Sequence, residues 1–213
     1  MTTEELIAQL ATHVSTGPTQ HLRTRVGRVL LLPVLLSVMW MLVMWGINPA
    51  LPTFARSTAF WIKEIWIAAV ILSVWPLVLR LARPGVSTGR YPKSLLATWA
   101  VMATLGVWQL SIAATGDTSS AWLGSSWQVC SVSIMALALP LLAALLWVLR
   151  DMAPTRPGLC GLVAGLLSGS LAALIYSLHC PETAFAFLSI WYTAGMLGVG
   201  VLGGVIGRQW LRW

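Results

Sequence analysis

Six stretches of this chain, at 29–47, 61–79, 95–115, 129–149, 158–178 and 184–207, run almost without charge. Each has about the 20 residues that a helix needs to cross a hydrocarbon core. None alternates apolar and polar residues as the strands of a membrane barrel must. They are apolar on every side, which in lipid leaves the helix, with its internally paired backbone, as the way to fold them. The second stretch is the least clean, because Lys63 and Glu64 fall in its first turn. Charged residues make up 9% of the 213, against about 25% in a soluble domain, too few to solvate a globular surface. The expected fold is therefore all-α: a polytopic membrane protein with six transmembrane helices, preceded by a short N-terminal amphipathic helix.

The net charge of +7 is sorted by side. Arg23, Arg25 and Arg28 precede the first stretch, and Arg80, Arg83, Arg90 and Lys93 follow the second. Arg150 and Arg156 follow the fourth, Arg208 and Arg212 follow the sixth, and Arg56 and Lys63 alone fall on the other side. Basic loop residues stay on the cytoplasmic face, which places both termini in the cytoplasm and agrees with an even number of spans. These residues read as topology anchors, so no nucleic-acid partner is expected. Glu4 and Glu5 ahead of the first stretch make a poor start for a cleaved signal, and that helix is expected to be retained.

Residues 1–28 form the expected cytoplasmic segment, and 29–213 the six-helix membrane domain. In TTEELIAQLATHVSTGP, Thr2 is followed three residues later by Glu5, a capping-box pattern. Leu6, Leu10 and Val14 recur every four residues with Ile7 and Ala11 beside them, so a helix here carries one apolar stripe. Gly17-Pro18 ends it. A helix this short is marginal alone and needs something to lie on. Helices that lie on a bilayer usually carry Lys or Arg on the polar face, whereas this one carries Glu4, Glu5, Gln9 and Thr12. The expectation is a partner protein that accepts Glu5, Leu6, Ile7, Leu10 and Val14 in a groove, ahead of the bilayer surface or the protein's own loops.

Gly161, Gly165 and Gly169 are four apart on the fifth stretch, and Gly200–Gly204 and Gly203–Gly207 repeat the interval on the sixth. Small residues so spaced let helix backbones approach closely. Tight packing of the last two helices as a hairpin is the favoured reading, with a homo-oligomer face second. Trp61, Trp66, Trp122 and Trp127 sit where an aromatic belt would lie.

The same topology sorts the cysteines. Cys130 and Cys180 share the outer end, and Cys160 lies at the inner one. A disulfide can persist on an oxidising side, provided the two Cα atoms come within about 7 Å. Cys130, His179, Cys180 and Glu182 would equally suit zinc or a soft metal ion, although no paired CxxC is present. A structural use is also open, with Cys130 as a small buried hydrophobe, His179 and Glu182 as interfacial caps, and Pro181 as a helix starter. Cys160 reads as packing. No Ser/His/Asp set, phosphate loop, carboxylate pair or CxxC thiol pair offers catalysis. No enzyme activity and no resident cofactor are expected, a transient heavy-metal or zinc ion being the most implied. A small membrane transporter or metal-export channel with the His179–Glu182 lip as its entry is the alternative. Such a protein should hold ionisable groups near mid-membrane, where here only Ser, Thr, Gln109 and Tyr176 lie.

His179-Cys180-Pro181-Glu182, Phe187, the Trp191-Tyr192 pair followed by Gly195, the closing Arg212-Trp213 and an upstream Trp127-x-x-Cys130 form one further pattern. With six spans behind a short N-terminal segment, it resembles the NrsF family, membrane-embedded anti-sigma factors of proteobacteria named as negative regulators of sigma-F. The resemblance implies an inner-membrane protein that holds an extracytoplasmic-function sigma factor inactive until heavy metal or oxidant relieves the inhibition. It further implies two outward-facing sensor cysteines, which here would be Cys130 and Cys180, with His179 and Glu182 as auxiliary metal or signal residues. The N-terminal segment matches in type rather than residue by residue.

Overall fold

The computed structural model describes residues 2, 4–5, 19–83, 85–112 and 122–212. Among these, six long helices follow in order: α1 (Thr19–Met44), α2 (Thr58–Leu81), α3 (Tyr91–Ile112), α4 (Trp127–Arg150), α5 (Pro157–Tyr176) and α6 (Phe185–Trp210). Each is long and apolar enough to cross a membrane, as the uncharged stretches require. One helical turn, Leu51–Phe54, lies between α1 and α2.

The helix ends follow local chemistry. Ser57 is extended, and its Oγ accepts from Phe60 N at 3.2 Å, closing the N-terminus of α2 as N-cap hydroxyls do. Pro157 opens α5, where its missing N–H and fixed φ cost nothing. Arg80, Arg150 and Arg208 occupy the last turns of α2, α4 and α6, beside the negative end of each helix dipole. At the N-terminus, Thr2 N donates to Glu5 Oε2 at 2.8 Å and Glu5 N to Thr2 Oγ1 at 3.3 Å, the reciprocal bonds of a capping box. The stripe of Leu6, Ile7, Leu10 and Val14 that should follow lies outside the described residues.

Helix α5 is the axis of the bundle. It is buried on nearly all faces and touches α1, α2, α4 and α6, while α3 packs at the edge against α2 and the start of α6. The close approach is between α5 and α6. A methyl built on Gly165 would lie 2.8 Å from Gly200 Cα, one on Gly161 2.9 Å from Gly207 Cα, and one on Gly169 2.9 Å from Met196 Cα. Backbone meets backbone there, as the four-residue glycine spacing predicts, and this stripe is consumed within one chain. On the outside, Leu32, Leu36, Val43, Leu72, Val107 and Trp147 are exposed, as lipid-facing positions are. Trp61, Trp122 and Trp127 are exposed too, but Trp66 is 5% exposed and belongs to the core rather than to an aromatic belt.

The two ends of the bundle differ. At the arginine-rich end, Arg25 pairs with Asp151, the Arg150 guanidinium lies 4.9 Å from the Trp210 ring centroid, and that of Arg80 lies 5.1 Å from the Tyr91 ring. Prolines sit inside α1, α2 and α4 (Pro33, Pro76 and Pro140). In the turn before Pro140, Ser37 Oγ reaches across from α1 and donates to Leu137 O at 2.8 Å. Neighbouring helices supply such partners where proline disturbs a membrane helix.

Candidate functional site

At the end of the bundle opposite the arginine-rich one, α5 stops at Tyr176 and α6 begins at Phe185. The segment between them, SLHCPETA at 177–184, crosses the bundle end instead of leaving it. His179 N and Cys180 N both donate to Tyr176 O at 3.0 Å, which turns the chain sharply off α5. Three elements then hold the segment down, and a fourth holds the start of α6. Beyond α1, Asn48 N donates to Leu178 O and Asn48 Nδ2 to His179 O, each at 3.2 Å. From α2, Lys63 Nζ donates to Cys180 O at 3.3 Å and to Glu182 O at 3.4 Å. Ahead of α4, Ser125 N and Ser125 Oγ both donate to Glu182 Oε1 at 2.7 Å. From α3, Gln109 Oε1 accepts from Ala186 N at 3.2 Å, covering one of the open N–H groups at the start of α6.

This folding brings Cys180 to the first turn of α4, where Cys130 sits. The two thiols are close enough to influence each other's ionisation, and Ser126 Oγ is 3.8 Å from Cys180 Sγ. Neither faces outward: Cys130 is 0% and Cys180 4% exposed. Both are buried at the end of the bundle where the 177–184 segment crosses. Cys180, in the connecting segment, is held below the ordinary thiol range. The hydrogen bond from Cys130 is the largest cause, and the Glu182 N–H and the Lys63 charge add to it against the opposing effect of burial. Hydrogen bonds and nearby positive charge favour the thiolate.

Aromatic rings close the inner side. Tyr176 and Tyr192 are fully buried with centroids 6.4 Å apart, and Trp45 meets Tyr176 edge-on at 6.0 Å. Tyr192 ends a π-turn, Leu188–Tyr192, inside α6. The wider turn changes the helix phase, and such turns are frequent at functional sites. Ser131 Oγ donates to Trp191 O at 2.7 Å within it, tying α4 to α6 at the residue next to Cys130.

His179 and Glu182 each make hydrogen bonds away from the two thiols. His179 Nδ1 lies 3.1 Å from Gly46 O, just past α1, and Glu182 Oε1 accepts from Ser125 N and Ser125 Oγ. Among the described residues no three or more His, Cys, Asp or Glu side chains gather as a metal set. Pro181, expected as a helix starter, precedes α6 without entering its first turn. Cys160 is buried in the first turn of α5, at the far end of the molecule. Sequence reasoning missed the supporting residues Asn48, Lys63, Ser125 and Tyr192. Lys63 had left a signal, a cation inside an apolar span, whereas the others look like ordinary loop or core residues until the segment packs over them.

The family model described as "Negative regulator of sigma F", NrsF, matches residues 10–213. The protein described as "Anti-sigma-F factor NrsF" from Caulobacter vibrioides is 38% identical over 218 residues, covering 100% of each chain. A "Probable anti-sigma-F factor NrsF" from Azospira oryzae is 39% identical over 158 residues, covering 72% of each. No solved structure matches the chain.

Proposed function

Because the chain belongs to the NrsF family of negative regulators of sigma F, we propose that it is an inner-membrane anti-sigma factor whose Cys130–Cys180 pair senses the signal for release. The family is one of regulators rather than enzymes. The partner in this reading is an extracytoplasmic-function sigma factor, held on the cytoplasmic side by residues 1–28. Glu5, Leu6, Ile7, Leu10 and Val14 form its docking stripe. The Thr2–Glu5 capping box supports a helix starting there. The arginine-rich end supports placing both termini in the cytoplasm, by the positive-inside rule.

The observation that carries the sensing role is the seating of two cysteines, 50 positions apart in sequence, against each other. Two thiols in that position have two reactions available. With a hydroperoxide, the Cys180 thiolate attacks the distal oxygen and the O–O bond breaks, leaving a sulfenic acid and an alcohol or water. The Cys130 thiol then displaces water to form the disulfide, so the peroxide gains the two electrons the thiols lose. With a soft divalent cation, two thiolates bind and two protons leave. Either product joins α4 to the α5–α6 connection covalently or through the ion. It can shift the bundle only as far as one helix packing suits the linked pair better than another. The α5–α6 hairpin runs from that connection to the arginine-rich end and is the element that carries the shift. In this reading His179 and Glu182 serve the pair by fixing its segment to the ends of α1 and α4. Against the transport alternative, Gln109 accepts from Ala186 N and Tyr176 is buried in the core.

Co-purification with the sigma factor tests the reading. The full-length protein should retain it, and a chain lacking residues 1–15 should insert but lose it. Cys130→Ser and Cys180→Ser should blunt release under oxidant or heavy metal, and Cys160→Ser should not. Equal blunting by all three would show that packing, not the pair, was disturbed.

A further inference from the structure

Lys63 is a buried lysine. It lies in the second turn of α2, which starts at Thr58, yet its side chain is 0% exposed. So near a helix end, a lysine normally extends along the helix and delivers its ammonium to the interface. Here it turns inward, over the Phe60 ring at 5.2 Å from the centroid, and spends its N–H groups on Cys180 O and Glu182 O at 3.3 and 3.4 Å. A buried charge is retained only where hydrogen bonds and opposing dipoles compensate its lost hydration. The two carbonyls do this, and they flank the one residue, Pro181, that has no N–H of its own to anchor the segment. We propose that Lys63 is a positioning residue for the thiol pair: its ammonium clasps the 180–182 backbone to α2 and thereby seats Cys180 over Cys130. Its use in signalling rests on the thiol-sensing reading above; the clasp itself does not. Through it, any movement of the segment on disulfide or metal–thiolate formation pulls on α2 as well as on α5 and α6.

Hydrogen exchange by mass spectrometry on the full-length protein in nanodiscs tests the clasp, read in peptides covering 177–184. These amides exchange through local opening, and a hydrogen bond from a charged donor is strong enough that losing it should speed opening about tenfold or more. Lys63→Met should accelerate exchange in 177–184 by that factor. Lys63→Arg, which still offers a cation with several donors, should stay near the unaltered rate. Ile67→Ala, at a fully buried position one turn along the same helix, should weaken the bundle without accelerating this segment. If Lys63→Met does not insert, Lys63→Gln carries the same comparison and should give an intermediate acceleration. An unaltered rate in Lys63→Met or Lys63→Gln would overturn the clasp. So would equal acceleration by Ile67→Ala, which would make the effect general loosening, or by Lys63→Arg, which would make the cation irrelevant. The exchange is read without sigma factor or stressor, so its failure and the failure of the sensing reading are told apart.

Discussion

Gly165 and Gly204 lie on the same helix hairpin, yet replacing each by alanine should move stability in opposite directions. A Cβ on Gly165 would come 2.8 Å from Gly200 Cα and closer still to Val199 O. Ordinary carbon–carbon contact is about 3.5–4.0 Å, so α5 and α6 must part along their closest line. The obstruction is backbone, which cannot swing aside as a side chain would, and the cost falls at the upper end of the overpacking range, about 3 kcal/mol. Alanine's better helix propensity returns up to about 1 kcal/mol. The net loss of about 2 kcal/mol corresponds to a fall in Tm of about 4–8 °C for a chain of this size. A Cβ on Gly204 meets nothing nearer than Leu162 Cβ at 3.4 Å, ordinary contact, so there the propensity gain stands and Tm should hold or rise. Scanning fluorimetry of both variants in one detergent at one scan rate makes the comparison, with tryptophan as the reporter. If Gly165→Ala keeps the original Tm, or Gly204→Ala falls as far, backbone contact between α5 and α6 is not what holds the hairpin.

Gln109→Leu leaves Ala186 N at the start of α6 without its acceptor, a loss of about 1–3 kcal/mol for a buried donor, seen as faster exchange at 185–188 and a lower Tm. Arg25→Gln breaks the pair with Asp151, but both partners are well exposed. The change should cost under about 1 kcal/mol and leave Tm nearly unmoved. In a Cys160→Ser background, alkylation of Cys180 should hold its rate further into acid than that of a free cysteine, since its thiol is held low by Cys130, the Glu182 N–H and Lys63. Because the folded value lies below the unfolded one, the ionised thiol adds stability above the ordinary thiol range. That contribution is lost as pH falls through the depressed value. A rate profile matching a free cysteine would refute the direction.

The six spans were legible because lipid crossing is a property of each stretch taken singly: length, absence of charge and no alternation suffice. The α5–α6 hairpin was legible too, since Gly161 and Gly165 lie on one helix face and meet Gly200, Gly203 and Gly207 across a short connection. Trp66 was misplaced because a tryptophan near a span end looks the same in sequence whether it faces lipid or protein. Its burial depends on which way α2 is rotated against α5. The π-turn at 188–192 has no residue pattern that announces it.

By itself the sequence determined which segments enter the membrane, that Cys130 and Cys180 share an end, and that Cys160 does not, because charge and hydropathy act additively along the chain. The tertiary structure alone decided that the two thiols meet, that a loop roofs them, and that Lys63 turns inward to hold that loop. Those outcomes depend on how helices distant in sequence are angled and rotated against one another, and no local pattern encodes where a side chain at the end of one helix will find a carbonyl beyond the end of another.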